Sequence, residues 1–464
     1  MNTPIWATKA DIEAAGCGYP NLSGYERPLG AKLSDALPFK QKTKAVKNGV
    51  VLGVNPYTND IMMHNGPENV LVMGPPRCGK LVSTIIPTSL LWQRSFFSFE
   101  QRSDLWEITA AHRKNTLGQR VLKFSPQQSD SAKWNPVEEI RWGTEGVFGD
   151  LCIFVDSIIH APKQMLKQKL SVADAIYDQA SSYLLVLVTY LYVADPLLKG
   201  TCPCMSDILT FIEGKQADEI FGLLQSCDGI LAMLQLSFSS SIFLESFWEN
   251  EDSWGKDVPW DDIVHVLEAA LEPYRRSWAK ENTSSSDFHI MDLFDVNHPL
   301  SIYYCLEGAW DFRGIASLFV NMLLYKSSST GNDYEKLLIM LDDVSELSLM
   351  GIMDTAFKLS TEFGVRICLV VHDTKQLEGL FGRGNQIAQH CGVHVYFRTD
   401  PFCGESTLAA IPNLSVGKVI TPEELLRLDL DKVIVFIEGH QPILARKLRY
   451  FDNPWLKKMS EVKL

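Results

Sequence analysis

Residues Val72–Pro87 read VMGPPRCGKLVSTIIP, and the fold turns on how this stretch is understood. Gly74, Gly79 and Lys80 satisfy the spacing G-x-x-x-x-G-K. Glycine lets the backbone turn so that successive N–H groups face phosphate oxygens, and the lysine reaches the terminal phosphates. A helix opening near Lys80 adds the positive end of its dipole. Such a loop needs a strand before it and a helix after it. Asn69–Met73, NVLVM, is a short apolar run bounded by turn residues and predicts that strand. Gly74, Pro75, Pro76, Arg77, Cys78, Gly79, Lys80 and Leu81 are therefore the candidate nucleotide-binding residues. Leu81 stands where these loops usually carry a Ser or Thr hydroxyl for magnesium.

Further strand runs follow at SFFSF (Ser95–Phe99) and RVLKF (Arg120–Phe124), with a helix expected across Ser103–Arg113 between them. Strand, loop, helix, strand is the rhythm of a parallel α/β sheet. From Glu138 to Asp287 apolar residues recur at helical spacing instead. Ile176, Ala180, Tyr183, Leu184 and Leu187 share one helical face. This stretch reads as an all-α domain that ends in a polar linker, NTSSSDF (Asn282–Phe288). Strand runs then resume at LSIYYCLEG (Leu300–Gly308), KLLIMLDD (Lys336–Asp343), VRICLVVHD (Val365–Asp373), VHVYFRTD (Val393–Asp400) and KVIVFIEG (Lys432–Gly439). Ile315, Leu318, Phe319, Met322 and Leu323 mark a helix, and TPEE (Thr421–Glu424) is a capping box opening another. The expectation is an α/β P-loop nucleotide-binding domain with a parallel-rich central sheet, interrupted by an inserted all-α domain. Residues 1–140 supply its first part, 141–287 the insertion and 288–464 its second part.

The chain has 464 residues, enough for two or three domains, and an ordinary globular composition of 46% hydrophobic and 21% charged residues. A net charge of −13 argues against a protein that coats nucleic acid through its whole surface. A local basic channel is compatible with it. Clusters at Lys40, Lys42, Lys44 and Lys47, and at Lys163, Lys167 and Lys169, read more simply as solvated faces. Ten cysteines show no disulfide framework, and Cys202 and Cys204 are too close for the usual zinc pair. The apolar flanks of Cys152, Cys305 and Cys368 suggest buried thiols and a reducing, cytoplasmic location. The longest apolar run, YLLVLVTYLYVA (Tyr183–Ala194), falls short of the about 20 residues that span a bilayer and reads as a core helix.

A phosphate loop needs a carboxylate at a strand end to hold magnesium, and often a second to polarise the attacking water. Asp342 and Asp343, closing LLIMLDD, fit those two roles. His372 ends the next strand run, at the edge where parallel strands meet ligands. It either senses the terminal phosphate or caps the following turn. His390 and His394 read as packed residues near Cys391.

These pieces, in this order, resemble the TraG-like family of type IV secretion coupling ATPases. IWATKADIEAAG (Ile5–Gly16), GPENVLVMGPPRCGK, IIPTSLLW (Ile85–Trp92), KWNPVEEI (Lys133–Ile140), LDDV, FGVRICLVVHDTKQLEGLFG (Phe363–Gly382) and QPILARKLRYFDNPW (Gln441–Trp455) carry the resemblance over nearly the whole chain. It implies a RecA-like domain, ATP and Mg2+ as cofactors, and a homo-hexamer when active. It also implies delivery of DNA–relaxase complexes or protein effectors to secretion-system subunits at the cytoplasmic face of the bacterial inner membrane. The N-terminal membrane anchor usual in that family is not seen in this sequence. An arginine finger from a neighbouring subunit is implied as well, with Arg366, Arg383 and Arg398 as candidates by location.

The sequence departs from the family pattern at several places. Glu100, Gln101, Arg102, Ser103 and Asp104 stand for the usual Asp-Pro-Lys-Gly-Glu, and Asp342-Asp343 for Asp-Glu. His372 stands for a Gln, and His390-Cys391 for Asn-Cys. The readings to separate are thus an ATP-driven coupling protein, a coupling-protein-like scaffold that binds nucleotide or cargo with little turnover, and a soluble DNA translocase of related fold.

Overall fold

The structure, a computed structural model, describes residues 6–20, 45, 46, 48–160, 162, 166, 169, 170, 172–193, 201–213, 260–327, 337–347, 349, 352–399 and 422–464. Lys40, Lys42, Lys44, Lys47, Lys163, Lys167 and Thr421, which entered the sequence reading, lie outside them. Among the described residues one mixed sheet of 13 strands organises the fold. In chain order its strands are β1 (Cys17–Pro20), β2 (Ala45–Val46), β3 (Val50–Val54), β4 (Ile61–His64), β5 (Val70–Met73), β6 (Ser95–Glu100) and β7 (Arg120–Phe124). Then come β8 (Leu300–Cys305), β9 (Leu337–Asp342), β10 (Val365–Val371), β11 (Val393–Phe397), β12 (Lys432–Ile437) and β13 (Ile443–Arg446).

Across the sheet the order is β2-β1-β4-β3-β13-β12-β11-β5-β10-β9-β6-β8-β7. From β11 to β7 every neighbouring pair is parallel. Beyond β11 the pairs through β12, β13, β3, β4 and β1 are antiparallel. This is the RecA-like P-loop architecture, extended by an antiparallel flank. Its parallel part carries a hydrophobic core on each face. Leu71, Met73, Phe97 and Ile339 point into one, Val70, Val72, Phe96 and Leu338 into the other. Burial on both faces is why these strands read as unbroken apolar runs.

Between β7 and β8 the described residues form helices and no strand. Val147–Ile159, Asp174–Val193, Met205–Ile212, Trp260–Leu271 and Ser277–Asn282 are the helices there. Tyr183–Val193 of the apolar run lie inside the second and are mostly buried. Among the described residues no helix is long and apolar enough to cross a membrane. NTSSSDF is packed, contrary to its reading as a linker. Trp134 N–H donates to Asn282 O (2.8 Å), Asp287 N–H to Lys133 O (2.9 Å), and Asn135 N–H to Ser286 Oγ (3.0 Å). Phe288 joins Phe124, Trp134, Tyr304 and Phe319 in an aromatic cluster, with Trp134 and Phe319 centred 4.7 Å apart. Small polar residues here serve a backbone clasp, which composition alone does not distinguish from a loop.

Beside the clasp is a buried ionic hub. Lys326, on the helix Arg313–Ser327, donates from Nζ to Glu139 O (2.6 Å) and lies 3.5 Å from Glu139 Oε2. Glu139 Oε1 accepts from Trp134 Nε1 (3.0 Å) and Ile290 N–H (2.8 Å). Both side chains of this pair are 2% exposed or less.

Candidate functional site

β5 runs between β10 and β11, and the loop Gly74–Lys80 leaves its carboxyl end. Gly74 N–H donates to Val371 O (3.2 Å), which ties the loop to β10. A Cβ on Gly74 would stand 2.7 Å from Phe397 Cβ, so only glycine lets the loop pass β11. Arg77 and Gly79 hold positive φ angles of 63° and 102°. Alternation of ordinary and left-handed backbone makes neighbouring N–H groups point the same way, which is how a backbone cradles an anion. The helix that follows begins with a wide π-type turn, Leu81–Ile85, closed by Ile86 N–H to Leu81 O, and continues as an α-helix over Ile86–Leu91. The strand, loop and helix expected around the motif are all present.

Lys80 is buried, and its ammonium donates to Gly74 O, to Pro75 O (3.2 Å) and to His372 Nδ1 (3.1 Å). These partners are dipoles and an imidazole, with no carboxylate in contact. Burial holds the Lys80 pKa below the usual lysine range, while Cys78, Asp342 and Asp343 pull it back up. Leu81 packs partly buried against the core on one side of the sheet. Two residues on, Ser83 Oγ is buried without a hydrogen-bond partner.

Asp342 ends β9, in register with Val370 of β10. Burial pushes its carboxyl up to about 6, and Lys80 draws it back. Asp343 follows in the left-handed region at φ 51°. Its Oδ1 accepts from Ser345 Oγ (3.0 Å) and Gln376 Nε2 (3.4 Å) and lies 3.7 Å from His372 Nε2, while its backbone O accepts from Gln101 Nε2 (2.8 Å). His372 N–H donates to Gln376 Oε1 (2.6 Å). Burial lowers the His372 pKa, and the neighbouring Lys80 ammonium lowers it further. Neutral His372 can then accept at Nδ1 from Lys80 while its Nε2–H faces Asp343. The cap of the next helix is Asp373, whose Oδ1 accepts Gln376 N–H, so His372 does not cap that turn.

Lys80, Asp342, Asp343 and His372 thus meet at the carboxyl ends of adjacent strands, the edge where open α/β sheets take ligands. An ammonium, inward N–H groups and an oxygen-donor carboxylate suit a polyphosphate with a hard divalent cation. Gln101, Gln376 and Lys447 were missed in the sequence. Lys447 Nζ donates to Cys78 O of the loop (2.9 Å) from far along the chain. No local pattern marks such a contact.

Other candidates have structural roles. Arg366 is buried on β10, donates to His64 O (3.2 Å) and Gly66 O, and lies over the Trp92 ring, so it does not reach a neighbour. Arg383 and Arg398 are exposed. Glu100 accepts from Leu105 N–H (2.9 Å) and Trp106 N–H (3.2 Å) at the start of the helix Asp104–Asn115, and burial pushes its carboxyl up to about 8. His394 lies buried between Cys391 O (2.7 Å) and Tyr396 Oη (3.0 Å). His390 pairs with Asp354 (3.3 Å). Cys305 and Cys368 are buried free thiols, as expected, and Cys152 is half-buried. Among the described residues no cluster of His, Cys, Asp and Glu has the form of a metal site.

Comparison with known proteins agrees with this fold. Conjugal transfer protein TraG of Escherichia coli is 25% identical over 522 residues, covering 97% of this chain and 76% of TraG. Protein VirD4 of Agrobacterium fabrum is 23% identical, covering 86% of this chain and 61% of VirD4. The bacterial conjugative coupling protein TrwBdeltaN70 superposes with a TM-score of 0.62 at 16% identity, over 87% of this chain and 89% of the solved TrwBdeltaN70 chain. TrwB has also been solved with a non-hydrolysable ATP analogue and with ADP and Mg2+, and both match this fold with a TM-score of 0.62. The profile of the family described as type IV secretory system conjugative DNA transfer matches residues 31–400 and 414–463. With that profile spanning most of its length, the chain belongs to the type IV secretory system conjugative DNA transfer family.

Proposed function

We propose that this protein binds ATP with Mg2+ at Gly74–Leu81 and hydrolyses it to drive delivery of cargo to a type IV secretion channel. The observation that supports this best is the convergence of Lys80, Asp342, Asp343 and His372 on three neighbouring strand ends. In this reading the loop N–H groups and Lys80 hold the phosphates, and Asp342 holds the cation. Mg2+, when bound, neutralises charge on the transferred phosphate. Asp343 orients the attacking water, and His372 reports the terminal phosphate. The nucleotide complexes of TrwB support both cofactors. Residues 1–140 and 288–464 form the nucleotide-binding unit, and 141–287 meet the cargo, a DNA–relaxase complex or a protein effector. The working form is a homo-hexamer at the cytoplasmic face of the inner membrane.

One observation favours a second reading, nucleotide binding with little turnover. Asp343 is held by Ser345, Gln376 and Gln101, and Lys80 is engaged with its own loop. Phosphate release measured with saturating nucleotide, across a range of protein concentration, separates the two. Release that vanishes in Lys80→Ala and rises as hexamers appear in sedimentation supports the motor. Calorimetric binding without release supports the silent binder. Release unchanged in Lys80→Ala rejects both.

A further inference from the structure

The helix after β10 carries a side chain to which the hydrolysis scheme above gives no part. Gln376 is the third residue of the helix Thr374–Phe381, and its own N–H is taken by the cap, Asp373 Oδ1 (2.8 Å). Its amide reaches out of the helix in two directions. Oε1 accepts His372 N–H (2.6 Å), and Nε2 donates to Asp343 Oδ1 (3.4 Å). The partners fix which way the amide lies. A backbone N–H only donates and a carboxylate only accepts, so a flipped amide would set donor against donor and acceptor against acceptor.

This bridge differs from ordinary capping. In a capping box the side chain three positions into the helix returns to the N–H of the cap residue. Here it passes the cap and takes the N–H of His372, one residue earlier, while its other arm leaves the helix for the end of β9. The Asp343 backbone is set by φ 51° and by Gln101 Nε2, which donates to its O (2.8 Å). The direction of the carboxylate is left to side-chain contacts, and Ser345 Oγ and Gln376 Nε2 donate to its Oδ1. The same amide holds the backbone of His372, whose ring lies 3.1 Å from Lys80 Nζ and 3.7 Å from Asp343 Oδ1.

We propose that Gln376 is a positioning residue for hydrolysis, its amide tying the His372 backbone to the Asp343 carboxylate. The group that faces the terminal phosphate and the group that faces the attacking water then keep one relative geometry. The assignment rests on the motor reading above. A misplacement of about 1 Å can cost on the order of 10²-fold in rate, so holding these two groups together matters more than the strength of either bond. Such bonds commonly tighten once substrate binds. Lys80 and Asp373 also bear on His372, and Asp342 lies beside Asp343; each is retained in the variants below.

The test measures phosphate release from Mg-ATP by the full chain, for wild type, Gln376→Leu and Gln376→Glu, between about pH 6 and pH 8.5. Leucine is close to glutamine in size and has neither arm. It is expected to lower kcat roughly tenfold, the scale of one hydrogen bond to a charged group, with KM and calorimetric ATP affinity within about twofold of wild type. Glutamate keeps the arm to His372 and suits a helix start at least as well, since a carboxylate is favoured at a helix N-terminus. Ionised, it turns a second negative charge on Asp343; protonated, it restores the donor. Two carboxylates in contact hold one proton well above the usual range. The rate of Gln376→Glu divided by that of wild type at the same pH is therefore expected to rise as pH falls. The ratio cancels titrations that both proteins share.

A ratio of one at every pH means that Gln376 only caps its helix, and overturns the assignment. So does a reduced ratio that is flat with pH, or ATP affinity lost in step with kcat. Faster release by Gln376→Leu also overturns it and makes Gln376 a restraint on Asp343. If wild type releases no phosphate, the motor reading fails and the assignment falls with it, whereas wild-type release with unaltered variants removes the assignment alone. Thermal melting separates lost fold from lost rate, and Gln376→Glu, which preserves the cap, carries the test if Gln376→Leu unfolds.

Discussion

Lys326 and Lys80 are both buried, and the protein treats them oppositely. Lys326 meets the Glu139 carboxylate and carbonyl, and Glu139 is in turn held by Trp134 and Ile290. Every charge in that hub is matched inside the protein. Among the described residues Lys80 is given only the carbonyls of Gly74 and Pro75 and the ring of His372. A buried charge held without a contacting carboxylate is costly to the free protein and available to an anion. The first arrangement fixes structure; the second keeps a site ready for phosphate.

The largest effect expected from breaking this contrast is at Lys326. Lys326→Ala removes the buried counter-ion of Glu139, leaving only the half-exposed His289 Nδ1 at 3.7 Å from its Oε1, and should cost about 3 kcal/mol, read as a fall in the chemical-denaturation midpoint. Next comes Lys80→Ala. Its stability should change by less than about 1 kcal/mol, because no buried carboxylate loses a contact partner. Its nucleotide affinity should fall on the order of 10²-fold in calorimetry, the scale of losing charge-assisted bonds to phosphate. A large loss of stability in Lys80→Ala would make the two lysines alike and end the comparison. Gly74→Ala probes the cradle itself. The new methyl would press on Phe397 Cβ at 2.7 Å and Cys78 Sγ at 2.8 Å, with a cost of about 1–3 kcal/mol seen in thermal melting.

His394 takes a third course and gives up its charge. Burial pushes its pKa from the ordinary 6.5 down to about 4. Its folded pKa lies below its unfolded one, so its contribution is fully present above pH 6.5 and is lost as pH falls toward 4. His394→Phe should therefore show a smaller loss of stability across that window than wild type. Parallel denaturation curves at pH 7 and pH 4.5 provide the check, and an unchanged pH dependence rejects it.

The parallel strands were legible because both faces are buried, which leaves continuous apolar runs such as Leu337–Leu341. Of the antiparallel flank only β12 was, as KVIVFIEG. β3, β4 and β13 are only 4 or 5 residues long, and β3 is interrupted by Gly53. Their pairing joins Val54 to Arg446 across most of the chain, so no local pattern announces it. The site was legible where a motif has fixed spacing, as at Gly74, Gly79 and Lys80. It was illegible where geometry depends on side chains from other elements. Gln101, from the loop after β6, and Gln376, from the helix Thr374–Phe381, secure Asp343. Arg366 was an arginine-finger candidate by its location in VRICLVVHD, yet its strand is central and its guanidinium turns inward to His64 O and Gly66 O.

The clasp between 133–135 and 282–287 has a consequence for how this molecule can change. The chain departs from the sheet after β7 and returns to β8, its lateral neighbour, through two segments already fastened together. Everything between is a closed excursion whose two ends share one doorstep. Lengthening, shortening or replacing that excursion leaves the route of every strand unaltered, and loop-closure entropy grows only with the logarithm of its length. The nucleotide machinery and the surface carried on the excursion can therefore diverge at different speeds. A chimera that exchanges residues 141–281 with the equivalent span of a relative, and so keeps Glu139 for Lys326, should keep this sheet and its phosphate loop intact.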